Sequence, residues 1–106
     1  MAKRLMIWLT VEPEQEEAFN HWYQDVFIPH FVRQIPAVKA VSRWRMVGTS
    51  TYMTIYEMDS SITPEELDRA LRDPERAVER TDWYRWEEAS LKGVQEGLFE
   101  QVFGDR

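Results

Sequence analysis

Residues 19–45 read FNHWYQDVFIPHFVRQIPAVKAVSRWR, and how this stretch folds decides how the rest of the chain can be arranged. Phe19, Trp22, Tyr23, Val26 and Phe27 stand at i, i+3, i+4, i+7 and i+8, one apolar stripe about 100° wide on a helix of about 3.6 residues per turn. Pro29 follows. It has no N–H for the helical ladder and disfavours the α region at Ile28, so the helix is expected to close there or to start a new turn, presenting His30 and Phe31 at a bend. Beyond Pro36, residues 37–47 contain neither Gly nor Pro and alternate in character, which predicts a long strand.

The flanking sequence supplies the partners of this helix and strand. Before it, Leu5, Ile7 and Leu9 alternate with Met6, Trp8 and Thr10, and since both sets are largely apolar the strand Arg4–Val11 should lie centrally, covered on both sides. Pro13 suits a first helical position, and Glu12, Glu14, Glu16 and Glu17 suit the positive end of the helix dipole. After it, Gly48, Thr49 and Ser50 supply a turn, and Thr51–Met58 is rich in β-formers, so strands two and three should form an antiparallel hairpin. Ile62-Thr63-Pro64-Glu65-Glu66-Leu67 is a full helix start, with Thr63 as N-cap, Pro64 at N1, Glu66 at N3, and Ile62 and Leu67 as a hydrophobic staple. Segment 74–92 keeps loosely helical spacing up to Gly93, with a possible break at Thr81-Asp82, and Leu98, Phe99, Val102 and Phe103 predict a short final strand. The order is β-α-β-β-α-β, an α+β, ferredoxin-like arrangement in one domain over 1–106, with helices on one face of an antiparallel sheet.

The other face would lie open. Whichever alternating set it carries is apolar, drawn from Met6 and Trp8, Tyr52 and Tyr56, Phe99 and Phe103, and so large an exposed patch predicts a homodimer packed through the sheet. The chain of 106 residues carries 5 Trp, 4 Tyr and 5 Phe, more aromatic bulk than one thin core uses, which also admits a ligand cavity. A net charge of -6 opposes nucleic acid and anionic membranes as partners. The absence of cysteine removes thiol chemistry, and the short apolar run near the start predicts neither a leader nor a membrane span, hence a cytoplasmic location.

Trp22-Tyr23, Asp25, Ile28-Pro29 and Ile35-Pro36, followed by Arg43 and Arg45 and then by Tyr52-Met53-Thr54-Ile55-Tyr56-Glu57, resemble the dimeric α/β-barrel superfamily, and within it the EthD-like proteins. Relatives of that group include antibiotic-biosynthesis monooxygenases, polyketide cyclases and stress-responsive barrel proteins. The likeness runs over about residues 3–103. Such proteins often have a histidine directly before the Ile-Pro pair; here Phe27 stands there and His30 follows instead. The resemblance implies the fold and the dimer, and activities that range from oxidation and cyclisation to binding alone, generally without a metal.

The candidate residues follow from chemistry. His30 is the proton-transfer candidate, since imidazole titrates near neutrality, while His21 falls on the polar side of the first helix. Tyr52, Tyr56 and Arg43 could stabilise negative charge developing on oxygen, although tyrosines on a strand commonly serve a core and arginines commonly pair with surface acids. Trp22, Tyr23, Phe27 and Phe31, closed over by Trp83 and Trp86, would wall a pocket for a small hydrophobic or aromatic molecule, or else form a plain core. No nucleotide loop, metal-ligand spacing or catalytic-triad pattern occurs, so no cofactor is expected. The leading expectation is a cofactor-independent enzyme that oxygenates or cyclises an aromatic or polyketide-like substrate by proton abstraction. The alternatives are a non-catalytic dimer that binds a hydrophobic metabolite and, last, a haem-binding or haem-degrading protein with His30 as axial ligand.

Overall fold

Phe19, Tyr23, Phe27, Phe31 and Ile35 are spaced by four residues, and all five are buried. On a regular α-helix a strict four-residue repeat drifts by about 40° per step, so the last of them would face water. The computed structural model, which describes residues 2–104, shows how they stay aligned. Helix α1 (Glu16–Trp22) widens into a π turn over Tyr23–Phe27 and continues as α2 (Ile28–Gln34), the Ile28 N–H reaching back five residues to the Tyr23 carbonyl. The wider turn takes back about 100° of the accumulated drift. It also takes up Pro29, whose ring would crowd the preceding turn of a regular helix. The expected break at Pro29 is therefore corrected to a continuous helix with a bulge. Val26, expected on the buried stripe, is swung out and is 53% exposed.

Four strands, β1 (Lys3–Val11), β2 (Val38–Arg45), β3 (Thr51–Met58) and β4 (Leu91–Glu100), form one antiparallel sheet in the order β2-β3-β1-β4. The central position expected for β1 and the hairpin expected for β2 and β3 are both present. Leu5, Ile7, Leu9 and Val11 face the helices with Tyr52, Thr54, Tyr56 and Met58, all buried. The opposite face carries Met6, Trp8, Met53 and Ile55, partly exposed, together with the exposed Trp44 and Phe99. Of the pairs weighed for that face, Met6, Trp8 and Phe99 lie on it. Tyr52 and Tyr56 point the other way, and Phe103 lies beyond the last strand.

Helix α3 (Pro64–Leu71) starts where its cap predicts, Thr63 Oγ1 accepting from the Glu66 N–H at 3.1 Å. Helix α4 (Ala77–Ser90) follows one 3₁₀ turn at Pro74–Arg76 and passes Thr81-Asp82 unbroken, because the Thr81 hydroxyl donates back to the Ala77 carbonyl at 2.9 Å instead of capping a new helix. The last strand is longer and earlier than expected. It begins at Leu91 and ends at Glu100, leaving Val102 and Phe103 outside it. Gly93, expected to stop a helix, instead sits inside the strand with φ +61°. Opposite it the pairing slips: Thr10 faces Lys92 while Trp8 faces Gln95, so β4 holds one residue more than β1 across this step. That is a β-bulge, and a left-handed glycine suits it because no Cβ opposes the conformation. The extra residue reverses the alternation, turning Val94, Glu96 and Leu98 to the helix side.

Candidate functional site

Between α4 and the sheet lies a cavity of about 340 Å³. Leu5 and Ile7 form its floor, Phe27, Phe31 and Trp83 its aromatic wall, and Arg76, Arg80, Glu87 and Glu96 bring charge to it. Glu96 faces inward because of the Gly93 bulge and pairs across the sheet with Ile7. It keeps contact with solvent, but the protein crowded around its carboxyl pushes the pKa above the ordinary 4.5, and the neighbouring Glu87 pushes in the same direction.

Arg76 and Glu79 meet beside this cavity, with side chains only 4% and 5% exposed. Arg76 Nε donates to Glu79 Oε2 at 2.8 Å, its Nη1 to the Leu71 carbonyl at 2.9 Å, and the guanidinium lies 4.9 Å from the centre of the Phe31 ring. Glu79 Oε1 is buried without a hydrogen bond and faces His30 Nδ1 at 3.3 Å. His30 is thus on α2, 38% exposed, beside Glu79, and is not among the residues that line the cavity. Placed by a continuous helix rather than by a bend, it reaches the cavity only through Glu79 and Arg76.

Arg43 lies elsewhere, on the helix side of β2. Its guanidinium carbon stands 4.3 Å from the Tyr52 ring centre, 4.9 Å from that of Tyr23 and 5.6 Å from that of Phe19. Nη1 donates to Asn20 Oδ1 at 2.8 Å and to Gln24 Oε1 at 3.0 Å, while Nε and Nη2 are buried without partners. Burial lowers its pKa. The Tyr52 hydroxyl donates to Glu16 and accepts from Asn20 at 3.1 Å, and with Ser50 it holds the Glu16 carboxyl below the ordinary range. The Tyr23 and Tyr56 hydroxyls share a buried hydrogen bond of 3.1 Å, and burial raises both phenol pKa values, that of Tyr56 strongly.

Of the residues singled out from sequence, then, Phe27, Phe31 and Trp83 meet at the cavity. Trp22 stacks behind them, 5.3 Å from Phe27 and 6.5 Å from Trp83 between ring centres, and Trp86 lies 5.9 Å from Trp22. Arg43, Tyr52 and Tyr23 form a separate cage, with Tyr56 bonded to Tyr23. Sequence reasoning passed over Arg76, Glu79, Glu87 and Glu96. Arg76 and Glu79 look like an ordinary i, i+3 surface pair, and only the glycine inside the β pattern of 91–100 signalled that Glu96 would turn inward. Among the described residues, no three His, Cys, Asp or Glu side chains are grouped to hold a metal ion, and no helix is long and apolar enough to cross a membrane.

No family model and no curated protein matches the chain. Solved structures do. An EthD family protein from Bacillus halodurans superposes with a TM-score of 0.67 at 24% identity, over 96% of this chain and 100% of that one. SnoaB, a cofactor-independent oxygenase from Streptomyces nogalater, gives 0.66 at 19% identity, over 97% and 95%. An antibiotic-biosynthesis-monooxygenase-like protein from Deinococcus radiodurans gives 0.69 at 10% identity, over 98% and 96%. The chain has the ferredoxin-like fold of EthD-like proteins. Within that ferredoxin-like frame the cavity lies between sheet and helices, and the open sheet face lies on the opposite side.

Proposed function

We propose that the chain is one subunit of a homodimeric, cofactor-independent enzyme that takes a planar aromatic or polyketide-like compound into the cavity and abstracts a proton from it. The observation that carries this reading is the cavity itself: an aromatic and aliphatic enclosure into which carboxylates and guanidinium groups project at one side. Removing a proton from an enolisable carbonyl compound leaves the electron pair spread onto oxygen, where a cation stabilises it, and the resulting enolate can cyclise or react with dioxygen. The neighbour SnoaB, described as a cofactor-independent oxygenase, supports the oxygenating branch. His30 and Glu79 would act at a distance, holding Arg76 at the cavity wall. The Arg43 cage with Tyr52, joined through Tyr23 to Tyr56, would brace the helix over the sheet.

Oxygen uptake with anthrone, an enolisable polycyclic ketone, in the presence of a chelator tests the reaction, and native mass spectrometry of the purified protein tests occupancy. Uptake lost on Trp83→Ala, or a retained aromatic ligand, is expected. No uptake, and no ligand retained or accepted, would discard the reading.

The dimer would form through Met6, Trp8, Trp44, Met53, Ile55 and Phe99, whose exposure on one flat face is costly in a monomer. Sedimentation should give twice the mass of the 12.7 kDa chain, and Trp44→Glu should shift it toward the monomer.

A further inference from the structure

The Gly93 bulge is a local irregularity in an otherwise regular sheet, and its main effect is to decide which side chains of β4 face the helices. Without the extra residue, the alternation from Leu91 would send Gln95 and Gly97 toward α4 and Glu96 to the open face. With it, a carboxylate stands on the cavity side of a paired strand, opposite Ile7 and across from Glu87 of α4. An ionisable group turned by a bulge to the solvent-reached side of a largely apolar cavity is an arrangement found next to functional sites.

We propose that Glu96 is the group that takes the proton from the bound ligand, and that the ligand is a neutral phenol or enolisable carbonyl compound. The inference rests on the cavity being the ligand site. In the transfer, the O–H or C–H bond breaks, its electron pair stays on the ligand oxygen or is delocalised there, and the proton passes to a Glu96 oxygen. The charged and titratable groups facing this point are Arg76, Arg80, Tyr84 and Glu87, with the buried Tyr23 phenol behind them. Arg76 is matched by Glu79, and Arg80 donates to the carbonyls of Leu71 and Asp73 at 3.0 and 2.7 Å. Both cations are thus held in place at the cavity wall. A ligand that already carries a carboxylate would meet Glu87 and Glu96 and be disfavoured. Glu87 acts as a positioning residue in the electrostatic sense: its charge makes ionised Glu96 a stronger base.

Calorimetric titration of the whole protein with naphthol and with its methyl ether, from about pH 4, below the ordinary carboxylate value, to about pH 8, where a phenol remains protonated, tests this. A phenol hydroxyl donates more strongly to a carboxylate than to a carboxylic acid, so naphthol should bind about tenfold tighter once Glu96 ionises. The ether, with no proton to give, should show no rise. Glu96→Gln should flatten the naphthol profile, and Glu87→Gln should move its midpoint to lower pH. A rise that survives in Glu96→Gln, or an ether that follows naphthol, overturns the role of Glu96 while leaving the cavity as the binding site. Heat from neither compound at any pH overturns the cavity reading, and this inference with it.

Discussion

Two arginines are drawn beneath the helices, and they are stabilised in opposite ways. Arg76 has a carboxylate at 2.8 Å, a carbonyl at 2.9 Å and one aromatic ring below it. Arg43 has no carboxylate in contact; it has two side-chain amides, three aromatic faces and two buried N–H groups without acceptors. The first cation is neutralised by charge, and the second is only soothed by π electrons and dipoles, each such contact being worth about 0.5–2 kcal/mol. The difference places them functionally. A paired arginine at a cavity wall can meet new negative charge without moving, whereas a caged one serves the packing of helix on sheet.

The largest expected effect comes from unpairing the first site. Arg76→Met leaves Glu79 buried without its partner and should cost about 3–5 kcal/mol in urea unfolding, and Arg76→Met combined with Glu79→Leu should recover much of the loss. If the single and double variants were equally unstable, Arg76 would matter through shape alone and the contrast with Arg43 would fail.

A helix end open to water sets the middle of the scale. Thr63→Ala removes the acceptor of the Glu66 N–H and should cost about 1 kcal/mol by the same measurement. At Arg43 opposing effects offset: Arg43→Met loses three ring contacts and two amide hydrogen bonds but also removes two unsatisfied donors and a buried cation, and it should stay within about 1 kcal/mol of the parent. A loss as large as that of Arg76→Met would show that the aromatic cage holds its charge as firmly as a carboxylate does.

The smallest effect belongs to Glu96, which solvent still reaches. Its folded pKa is raised, so the ionised form is penalised only in the folded protein, and stability is full below the ordinary value of 4.5 and falls as pH rises through the folded value. Glu96→Gln should therefore melt higher than the parent at neutral pH and equally below about pH 4. The opposite sign would mean that Arg80 or Arg76 already stabilises the carboxylate.

The strand and helix order was legible because it rests on periodicity. β3 shows apolar alternation between turn residues, and the Thr63 start shows cap, proline and staple together. The candidate site was less legible for the same reason. Two local departures from regular period, the π turn at Tyr23–Phe27 and the bulge at Gly93, determine which side chains face inward, and both violate the assumption that 3.6 or 2 residues repeat throughout. The first kept His30 on a helix beside Glu79, and the second turned Glu96 inward. Arg76 and Glu79 were hidden differently: their spacing is that of any solvated ion pair, and only the packing of α4 against α2 buries it.

The π turn has a consequence for how the chain tolerates changes in length. Removing one residue from within 23–27 would let the helix relax to an ordinary α pitch, keeping every backbone hydrogen bond a helix needs. Phe31 and Ile35 would then stay close to their present phase relative to Phe19, since the turn of about 100° lost with the residue is nearly returned by the tighter winding, but Pro29 would meet a regular turn with no slack to absorb its ring. The π turn thus houses a surplus residue without disturbing the phase of the two halves of one helix. A deletion there should therefore spare the buried face and cost stability mainly through Pro29, so that joining it with Pro29→Ala should recover most of the loss.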